Sequence, residues 1–501
     1  MLLRSGIAAF VCLLSLTSVV LVIQLYSRKS SLSTGWIAPF SGHPVGPCPD
    51  RLDWLDRLNL TYPIRYAHRD IVTRPTSKAK RNPVTKIDKN LFPELQTIDP
   101  SDNPKVELQN CKDPLVLDVP APPKNPIDAS HVIFGISTTI KRLDDTIPQL
   151  MRWLPHTNAK LFVVVIEAGE VDEETAWVAA DTNQVAELRT KMRGLGLDVT
   201  LVEPLRKEDI FSERYFSLAE IMYTHRGPDT EWVALMDDDT FFPSIPSVLS
   251  MLAEYDSNEQ FYVGALSEDW WSVVHYGLMG FGGAGIFLSV AMAESIHNNY
   301  DHCKADSRSS AGDIRIMECI IYNTNTKLTN VPELHQIDVH RDLSGIYESG
   351  RMPLSLHHWK GGGPDEKGYD LPTMHLVADV CGDCFLQRWQ FGKDTLLSNG
   401  FSISMYPKGD LDGMNFDKLE ETWDTPSIVE GSTNGGTAHS LGPTRRKMIL
   451  EEEKVQYRLM DSVVIDGGVR QTYLHPGVDG DIDTVLELVW VQGKSGDAPL
   501  P

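Results

Sequence analysis

The stretch Thr230-Glu231-Trp232-Val233-Ala234-Leu235-Met236-Asp237-Asp238-Asp239-Thr240-Phe241-Phe242 decides how this chain folds. Its apolar run, residues 232–236, has the length of a strand and is followed by three consecutive carboxylates. Carboxylates in one loop repel each other unless a cation lies between them. Open α/β sheets bind their ligands at the carboxyl ends of strands. The stretch therefore predicts a divalent-metal site that holds a diphosphate, with a solvated acidic turn or an isolated calcium site as the alternative.

Segments with the patterns of strands and helices alternate around this stretch. Residues 132–137 and 161–166 are continuous apolar runs, as in a parallel sheet that is covered on both faces. A helical pattern begins at Asp144 after the first run, and residues 215–225 form another before the carboxylates. This alternation predicts a doubly wound parallel sheet with the carboxylates at the carboxyl end of a strand.

Length and composition predict more than one folded unit. The 501 residues are too many for one small core, and the apolar and charged shares of 42% and 23% are ordinary for globular proteins. A formal net charge of −23 argues against broad nucleic-acid binding, which requires a basic surface.

The amino terminus carries a membrane signal. Residues 6–25 are almost wholly apolar and uncharged, which is about the 20 residues that a helix needs to cross a bilayer. A cleaved signal peptide is the alternative, but the run is long for one and lacks a small-x-small cleavage site. The sequence favours a signal anchor, although the flanking charges of Arg4, Arg28 and Lys29 leave its orientation open.

Cysteines and a glycosylation motif favour a lumenal chain. One of the seven cysteines, Cys12, lies in the apolar run, which leaves an even number for disulfides in an oxidising compartment. Asn59-Leu60-Thr61 is an N-glycosylation acceptor that only a lumenal chain could use. Together these features predict a type II, single-pass topology with membrane contact through the amino-terminal helix.

The chain divides into four predicted regions: residues 1–29 as tail and anchor, 30–127 as a stem, 128–395 as the main domain and 396–501 as a β-rich extension. Proline recurs through the stem, which predicts an extended rather than packed segment with one short helix at residues 54–58. Some large apolar residues of the stem indicate that part of it docks on the domain, namely Trp36, Trp54, Leu91 and Phe92.

A glycine-rich segment follows two adjacent tryptophans, Trp270 and Trp271. Glycine lets backbone approach a ligand closely, although a bulged strand without a ligand is the alternative. A dinucleotide loop is disfavoured because the required strand-then-helix context is missing. The tryptophans either stack on a sugar or belong to the core. The segment's glycines are Gly280, Gly282, Gly283 and Gly285.

Three further residues have the chemistry of a site. Asp313 stands at the head of an apolar helix, where an N-cap role is the simpler interpretation. His357 and His358 follow an apolar stretch. Adjacent residues of a strand face opposite ways, so we expect at most one of the two histidines to reach a given metal.

The order of these motifs resembles the Fringe-like β-1,3-glycosyltransferases over residues 131–360. The resemblance implies a GT-A fold with a doubly wound mixed sheet, and an inverting, metal-dependent enzyme of the Golgi membrane. The motifs are Asp-Asp-Asp-Thr-Phe-Phe at 237–242, Gly-Gly-Ala-Gly-Ile-Phe-Leu-Ser at 282–289, Gly-Asp-x-x-x-Met-Glu-Cys at 312–319 and Leu-Ser-Leu-His-His-Trp at 354–359.

The resemblance also implies roles for single residues. Asp239 would bind Mn²⁺, Asp237 would contact the ribose or support the metal, and Asp238 would belong to the same nucleotide-sugar element. Asp313 would be the catalytic base, and His357 or His358 would complete the metal shell. The chain departs from the family in having Gly312 where an acidic residue is usual and Met317 where a small one is usual. The cleft for donor and acceptor would be lined by Gly282, Gly283, Ala284 and Gly285, with Trp270 and Trp271 on the acceptor side.

Two functions follow as hypotheses. The first is transfer of a sugar from a nucleoside-diphosphate sugar, expected to be a UDP-sugar, to a glycan or glycoprotein in β-1,3 linkage. Such inversion needs one base and one metal, and no covalent nucleophile. The second is an inactive, membrane-tethered glycan-binding or scaffold protein, which the departure at Gly312 permits.

Disulfides are expected between Cys303 and Cys319 and between Cys48 and Cys111. In Cys381-Gly382-Asp383-Cys384 the two cysteines either form a local disulfide or pair elsewhere, and zinc is disfavoured because no second close pair exists.

Overall fold

The computed structural model describes residues 52–101, 108–109, 111–123, 125–167, 178–339, 342–359, 371–423, 442–478 and 480–494. The predicted anchor, Trp36 and Cys48 lie outside these residues. None of the helices within the described ranges is long and apolar enough to cross a membrane.

The described strands are numbered in chain order. They are β1 (Ile64–Thr76), β2 (Thr85–Ile87), β3 (Gln96–Ile98), β4 (Leu115–Pro120), β5 (Val132–Thr139), β6 (Lys160–Glu167), β7 (Val178–Ala179), β8 (Val199–Val202), β9 (Trp232–Leu235), β10 (Tyr262–Gly264), β11 (Ile286–Ser289), β12 (Leu328–Asn330), β13 (Leu334–His335), β14 (Ser355–Leu356), β15 (Arg388–Phe391), β16 (Thr395–Ser398), β17 (Ser402–Met405), β18 (Leu419–Glu420), β19 (Thr444–Arg445), β20 (Val455–Ile465), β21 (Gly468–His475) and β22 (Thr484–Gln492).

The α-helices are numbered in the same way, and three 3₁₀-helices accompany them at Asp53–Leu58, Leu371–Val377 and Asp410–Gly413. The α-helices are α1 (Ile140–Trp153), α2 (Thr182–Gly194), α3 (Phe211–Thr224), α4 (Ile245–Leu252), α5 (Trp270–Tyr276), α6 (Val290–Asp306), α7 (Gly312–Asn323), α8 (Ser344–Tyr347) and α9 (Ala378–Cys381).

An eight-stranded mixed sheet positions the acidic triplet. Its order is β12-β10-β11-β9-β5-β6-β7, with β8 beside β6. Strands β5, β6, β8 and β9 run parallel, whereas β11 is antiparallel to both β9 and β10. All eight residues of β5 are buried, because apolar clusters cover both faces of the sheet. The alternation of elements predicts a parallel sheet and the resemblance implies a mixed one. The sheet is mixed, because β11 runs antiparallel to both of its neighbours. The triplet begins two residues after the end of β9, as expected.

A ten-stranded sheet contains most of the remaining strands, in the order β2-β15-β16-β17-β20-β21-β22-β1-β3 with β4 beside β1. Strand β1 pairs in parallel with β22, so residues 65–73 of the predicted stem lie beside residues 484–492 of the predicted extension. Strand β16 crosses the predicted boundary after residue 395, and it pairs with β15 before the boundary and with β17 after it.

The described part of the predicted stem is therefore packed, contrary to the expectation of an extended segment. The reason is where its prolines fall. Strand β1 contains only Pro75, next to its end, and its pairing with β22 stops at Thr73, so no ladder bond to β22 requires the missing N–H. Trp54, Leu91 and Phe92 are buried, as the docking hypothesis expects.

The two large sheets share one apolar core. A continuous cluster of buried residues contains Ile71 and Trp490 from the ten-stranded sheet and Phe134 and Val163 from the eight-stranded sheet. The site described below is therefore built on a scaffold whose sheets cannot separate without exposing this cluster to water.

Two disulfides join described residues. Cys303–Cys319 connects α6 to α7, as predicted, and Cys381–Cys384 is a local disulfide within the C-x-x-C segment. Cys111 is also disulfide-bonded. Its predicted partner, Cys48, lies outside the described residues.

Candidate active site

Thr240 stabilises the acidic loop that follows β9 through two hydrogen bonds. The Asp237 N–H donates to Thr240 Oγ1 (3.1 Å), and that hydroxyl donates to the Gly283 carbonyl (2.8 Å). Phe241 and Leu356 exchange backbone hydrogen bonds of 2.8 and 2.9 Å. These contacts fix the acidic loop against both the glycine segment and the chain that leads into His357.

His357 lies between two carboxylates of the triplet. Its Nε2 is 3.3 Å from Asp237 Oδ2 and 3.0 Å from Asp239 Oδ1, and the side chain is buried. Burial lowers the pKa of His357, but hydrogen bonds to Asp237 and Asp239 prevail and raise it to about 10. Burial raises the pKa of Asp239, whereas its hydrogen bond to His357 and that charge lower it to about 2. The cluster therefore favours positive charge at the point where the carboxylates converge.

His358 lies on the same side as His357, contrary to the expectation from strand alternation. The ring centroids are 3.8 Å apart. Strand β14 ends at Leu356, and His358 has a left-handed backbone with φ of +48°, so the alternation of a strand does not apply here. Asp239, His357 and His358 each offer one ligand atom, and these atoms all lie within 4.8 Å of one another. This geometry could hold a metal ion.

Asp238, the middle carboxylate, is engaged elsewhere. It is buried, and Arg142 of α1 donates to it from Nε (2.6 Å) and Nη2 (2.5 Å). The Thr138 hydroxyl also donates to Asp238. The structure thus brings Asp238 to α1 rather than to the histidines, where these contacts brace the loop, and the nucleotide-sugar contact predicted for it stays a prediction.

Asp313 joins the site through the glycine segment. It is the second residue of α7, whose N-cap is Ala311, so the expected N-cap role does not apply. Its Oδ2 accepts from the Gly282 N–H at 3.2 Å. Desolvation by the surrounding protein raises the pKa of Asp313 to about 6, and the charge of Asp237 contributes to the increase.

The glycines make room for side chains of the protein itself. A Cβ at Gly283 would overlap the His357 ring, and one at Gly282 would lie 2.5 Å from the Tyr215 hydroxyl. At these two positions the structure shows close approach of His357 and Tyr215, and close approach of a ligand stays a prediction. Ala284 donates its N–H to Gln336 Oε1 at 2.8 Å, and Gly285 has φ of +96°.

Tyr215 explains the departure at Gly312. A Cβ at Gly312 would lie 2.5 Å from Tyr215 Cβ and 2.6 Å from its Cδ1. Burial raises the pKa of Tyr215 well above 10, and the charges of Asp237 and Asp313 add to this effect, so the hydroxyl stays protonated. The glycine at 312 was the one sequence signal that could have pointed to a bulky neighbour. Tyr215 itself was not predicted.

Trp270 and Trp271 are not core residues. They are 39% and 41% exposed on the short helix α5. Val274, Tyr276 and Leu278 are also exposed and extend the same stretch of chain toward the glycine segment. The Trp271 and His275 rings stack with centroids 4.4 Å apart. We call Trp270, Trp271, Val274, Tyr276 and Leu278 the aromatic surface.

Other contributors lay outside the predicted set. Trp359, which follows the histidines, donates its indole N–H to the Asp239 carbonyl at 3.0 Å. Gln336 and Asp338 approach the histidines.

Asn59, the predicted glycosylation acceptor, is exposed at the end of the first 3₁₀-helix with φ of +57°.

A comparison with protein-family models matches part of the site. The family described as "Protein of unknown function, DUF604" matches residues 272–364. This range includes the glycine segment, Asp313 and both histidines, but not the acidic triplet. A comparison with curated proteins found no match.

The solved structures that match this chain include three glycosyltransferases, all at low similarity. The mannosyltransferase PcManGT from Pyrobaculum calidifontis, in complex with GDP-Man and Mn²⁺, is 12% identical over 42% of this chain and 58% of its own, with a TM-score of 0.28. Mouse xyloside xylosyltransferase 1 is 11% identical over 40% of this chain and 84% of its own, with a TM-score of 0.26. The WbbM bifunctional glycosyltransferase is 12% identical over 46% of this chain and 43% of its own, with a TM-score of 0.28. Superpositions this weak assign no activity to this chain.

Proposed function

We propose that this chain is a metal-dependent, inverting glycosyltransferase that moves a sugar from a nucleoside-diphosphate sugar to a hydroxyl of a glycan or glycoprotein. One observation carries the proposal. His357 lies within 3.3 Å of both Asp237 and Asp239, and Asp313 is hydrogen-bonded to the glycine segment that packs against the same histidine.

The donor atoms of this cluster fit a divalent cation. Carboxylates suit Mn²⁺ and Mg²⁺, and imidazole nitrogens suit transition metals, so Mn²⁺ is compatible with both. Asp239, His357 and His358 would hold the ion, with Asp237 beside it. When bound, the cation would stabilise the negative charge of the departing diphosphate.

Asp313 has the properties of a general base for the acceptor hydroxyl. Because its pKa is raised to about 6, it is ionised at neutral pH yet more basic than an ordinary aspartate. The Gly282 N–H orients one carboxylate oxygen. Inversion requires a single such base on the side of the sugar opposite the leaving group, and no second nucleophile.

The acceptor and the location complete the proposal. The aromatic surface presents flat apolar rings to solvent, which suits the apolar face of an acceptor sugar, and a UDP-sugar is the expected donor. The β-1,3 linkage and the Golgi lumen, reached through an amino-terminal anchor, belong to the same proposal. For the location, glycosidase treatment of cell-derived protein should reduce its mass, and Asn59→Gln protein should not shift.

A nucleotide-sugar panel tests the activity. UDP- and GDP-sugars are incubated with the protein and Mn²⁺, and release of the nucleoside diphosphate is measured with and without candidate acceptors. We expect Mn²⁺-dependent release with one donor class. Asp239→Ala should abolish metal-dependent donor binding in calorimetry, whereas Asp301→Asn, at an exposed ion pair with Arg206, should not. Donor binding without release from any donor would support the inactive glycan-binding alternative.

A further inference from the structure

One short segment, residues 336–338, contacts both candidate histidine ligands. The Gln336 carbonyl accepts a hydrogen bond from His357 Nδ1 at 3.2 Å. A carbonyl can only accept, so the proton of this bond is on Nδ1 and Nε2 is directed to Asp237 and Asp239. The segment thus sets the ring orientation of His357.

The same segment presents a carboxylate to His358. Asp338 Oδ1 lies 3.6 Å from His358 Nδ1, just beyond hydrogen-bond distance. The side chain of Asp338 is only 18% exposed, whereas that of His358 is 54% exposed. Asp338 is therefore the fixed partner of the pair, and His358 is the one with room to move.

Asp338 is fixed by the loop that follows β10. The Ser267 hydroxyl donates to Asp338 Oδ2 at 2.5 Å. The next residue, Glu268, is buried and accepts the Ile337 N–H at 2.8 Å, while its other oxygen lies 3.0 Å from His335 Nδ1. Two adjacent side chains of one loop therefore hold the segment on either side of Ile337.

The backbone of this segment is strained. Ile337 has φ of +58°, a left-handed conformation that is a genuine outlier for a β-branched residue. His358, opposite it, has φ of +48°. Such strain persists only where the surroundings impose it, and it concentrates at functional sites. Here the buried Glu268 accepts the Ile337 N–H, and the residues on either side of Ile337 contact the two histidines.

We propose that Asp338 is a positioning residue that orients His358 as a metal ligand. Its carboxylate would accept a hydrogen bond from the Nδ1–H of His358, so that Nε2 is directed to the cation. Histidine ligands of metals almost always donate their other ring N–H to a carboxylate, a carbonyl or water. His357 already has a carbonyl in that role, and Asp338 provides the carboxylate for His358. The inference rests on the metal site of the proposed function and adds to it a residue that touches neither metal nor substrate.

Metal affinity tests this role without any need for turnover. Mn²⁺ alone is titrated into the full chain, and free Mn²⁺ is measured by electron paramagnetic resonance. Asp338→Asn should weaken Mn²⁺ binding by about 10- to 100-fold, the usual effect of losing such a partner. Asp342→Asn is the matched control, because Asp342 has a similar side-chain exposure of 16% and is paired with Arg458 rather than a histidine. It should bind Mn²⁺ as the wild type does.

A double-mutant cycle separates positioning from general destabilisation. If Asp338 acts through His358, then Asp338→Asn should have no further effect on Mn²⁺ affinity in the His358→Ala background. Ser267→Ala, which keeps the carboxylate but removes its anchor, should reproduce a smaller part of the loss in a chain that melts normally. Additive effects, or wild-type Mn²⁺ affinity in Asp338→Asn, would overturn the role of Asp338 while leaving an Asp239-dependent metal site intact. Absence of any Mn²⁺ binding by the wild type would overturn both proposals.

Discussion

Gly312 and Tyr215 form one packing unit beside the candidate base. The tyrosine ring occupies the volume that a side chain at 312 would enter, and its hydroxyl lies against Gly282, whose N–H holds Asp313. The missing acidic residue is therefore a consequence of packing and leaves Asp313 in place. For this reason the departure from the Fringe-like pattern does not by itself favour an inactive protein.

Gly312→Ala should lower the free energy of unfolding by about 1–3 kcal/mol, the usual cost of overpacking a core position. The new methyl would lie 2.5–2.7 Å from three Tyr215 atoms. Thermal or urea denaturation measures the change. Gly194→Ala is the control, because a Cβ there meets nothing within 4 Å. Equal stability of the two variants would show that the Tyr215 side chain can shift to accommodate the methyl group at little cost in free energy.

Asp313 should set the acid limb of the pH–rate profile. Its pKa is raised to about 6, so the carboxylate takes up a proton at a higher pH than an ordinary aspartate and is lost as a base as pH falls through that value. We expect kcat/KM to fall about tenfold per pH unit below this point. Asp313→Asn should transfer sugar about 10²–10⁴-fold more slowly, with donor binding kept and no acid limb. A folded Asn variant with near wild-type turnover would contradict the role.

At the scale of elements, α5 is unusual because most of its large apolar side chains face solvent. The helix is anchored through Asp269, whose side chain accepts from the Trp271 and Ser272 N–H groups, and it leads directly into the glycine segment. An exposed aromatic surface contributes little to stability, and in the proposed function it would bind the acceptor.

Trp271→Ala should raise the acceptor KM while leaving the melting temperature and the donor KM unchanged. The expected increase is roughly 2- to 12-fold, which corresponds to the about 0.5–1.5 kcal/mol of a stacking contact. Leu205→Ala, at another exposed apolar residue, is the control and should change none of these values. A change in the donor KM alone would show that the aromatic surface does not bind the acceptor.

At the scale of the whole molecule, the ten-stranded sheet makes the amino-terminal and carboxyl-terminal thirds of the chain interdependent. Strand β1 lies between β22 on one side and β3 and β4 on the other. Its removal would expose the edge of β22 and the apolar cluster that both sheets share.

A chain truncated to begin at residue 128, the predicted start of the main domain, should therefore fail to fold. A chain that begins at residue 30, after the predicted anchor, retains Cys48 and should fold and melt cooperatively. Size-exclusion chromatography and circular dichroism distinguish the two outcomes. A soluble, cooperatively melting chain from residue 128 would show that the eight-stranded sheet is stable by itself.

Local patterns in the sequence determined those features of this protein that depend on residues close together in the chain. The apolar run before Asp237 predicts a buried strand, and that strand places the carboxylates at its end, because burial on both faces requires a continuous apolar run. The glycine segment, Asp313 and the histidine pair could each be found because their residue types are unusual in their surroundings. The expected Cys303–Cys319 disulfide is present, although no local pattern specifies that pairing.

Tertiary structure decided what depends on distant residues or on single backbone angles. No local pattern pairs β1 with β22 across more than 400 residues, and so a proline-rich segment was predicted to be unpacked. Both histidines reach one side only because His358 has a left-handed backbone. Gly282 and Gly312 are required by Tyr215, and Gly283 is required by His357, side chains that approach from other elements. Such contacts are set by the packing of whole elements against each other, which periodicity and residue type in one stretch of chain do not contain.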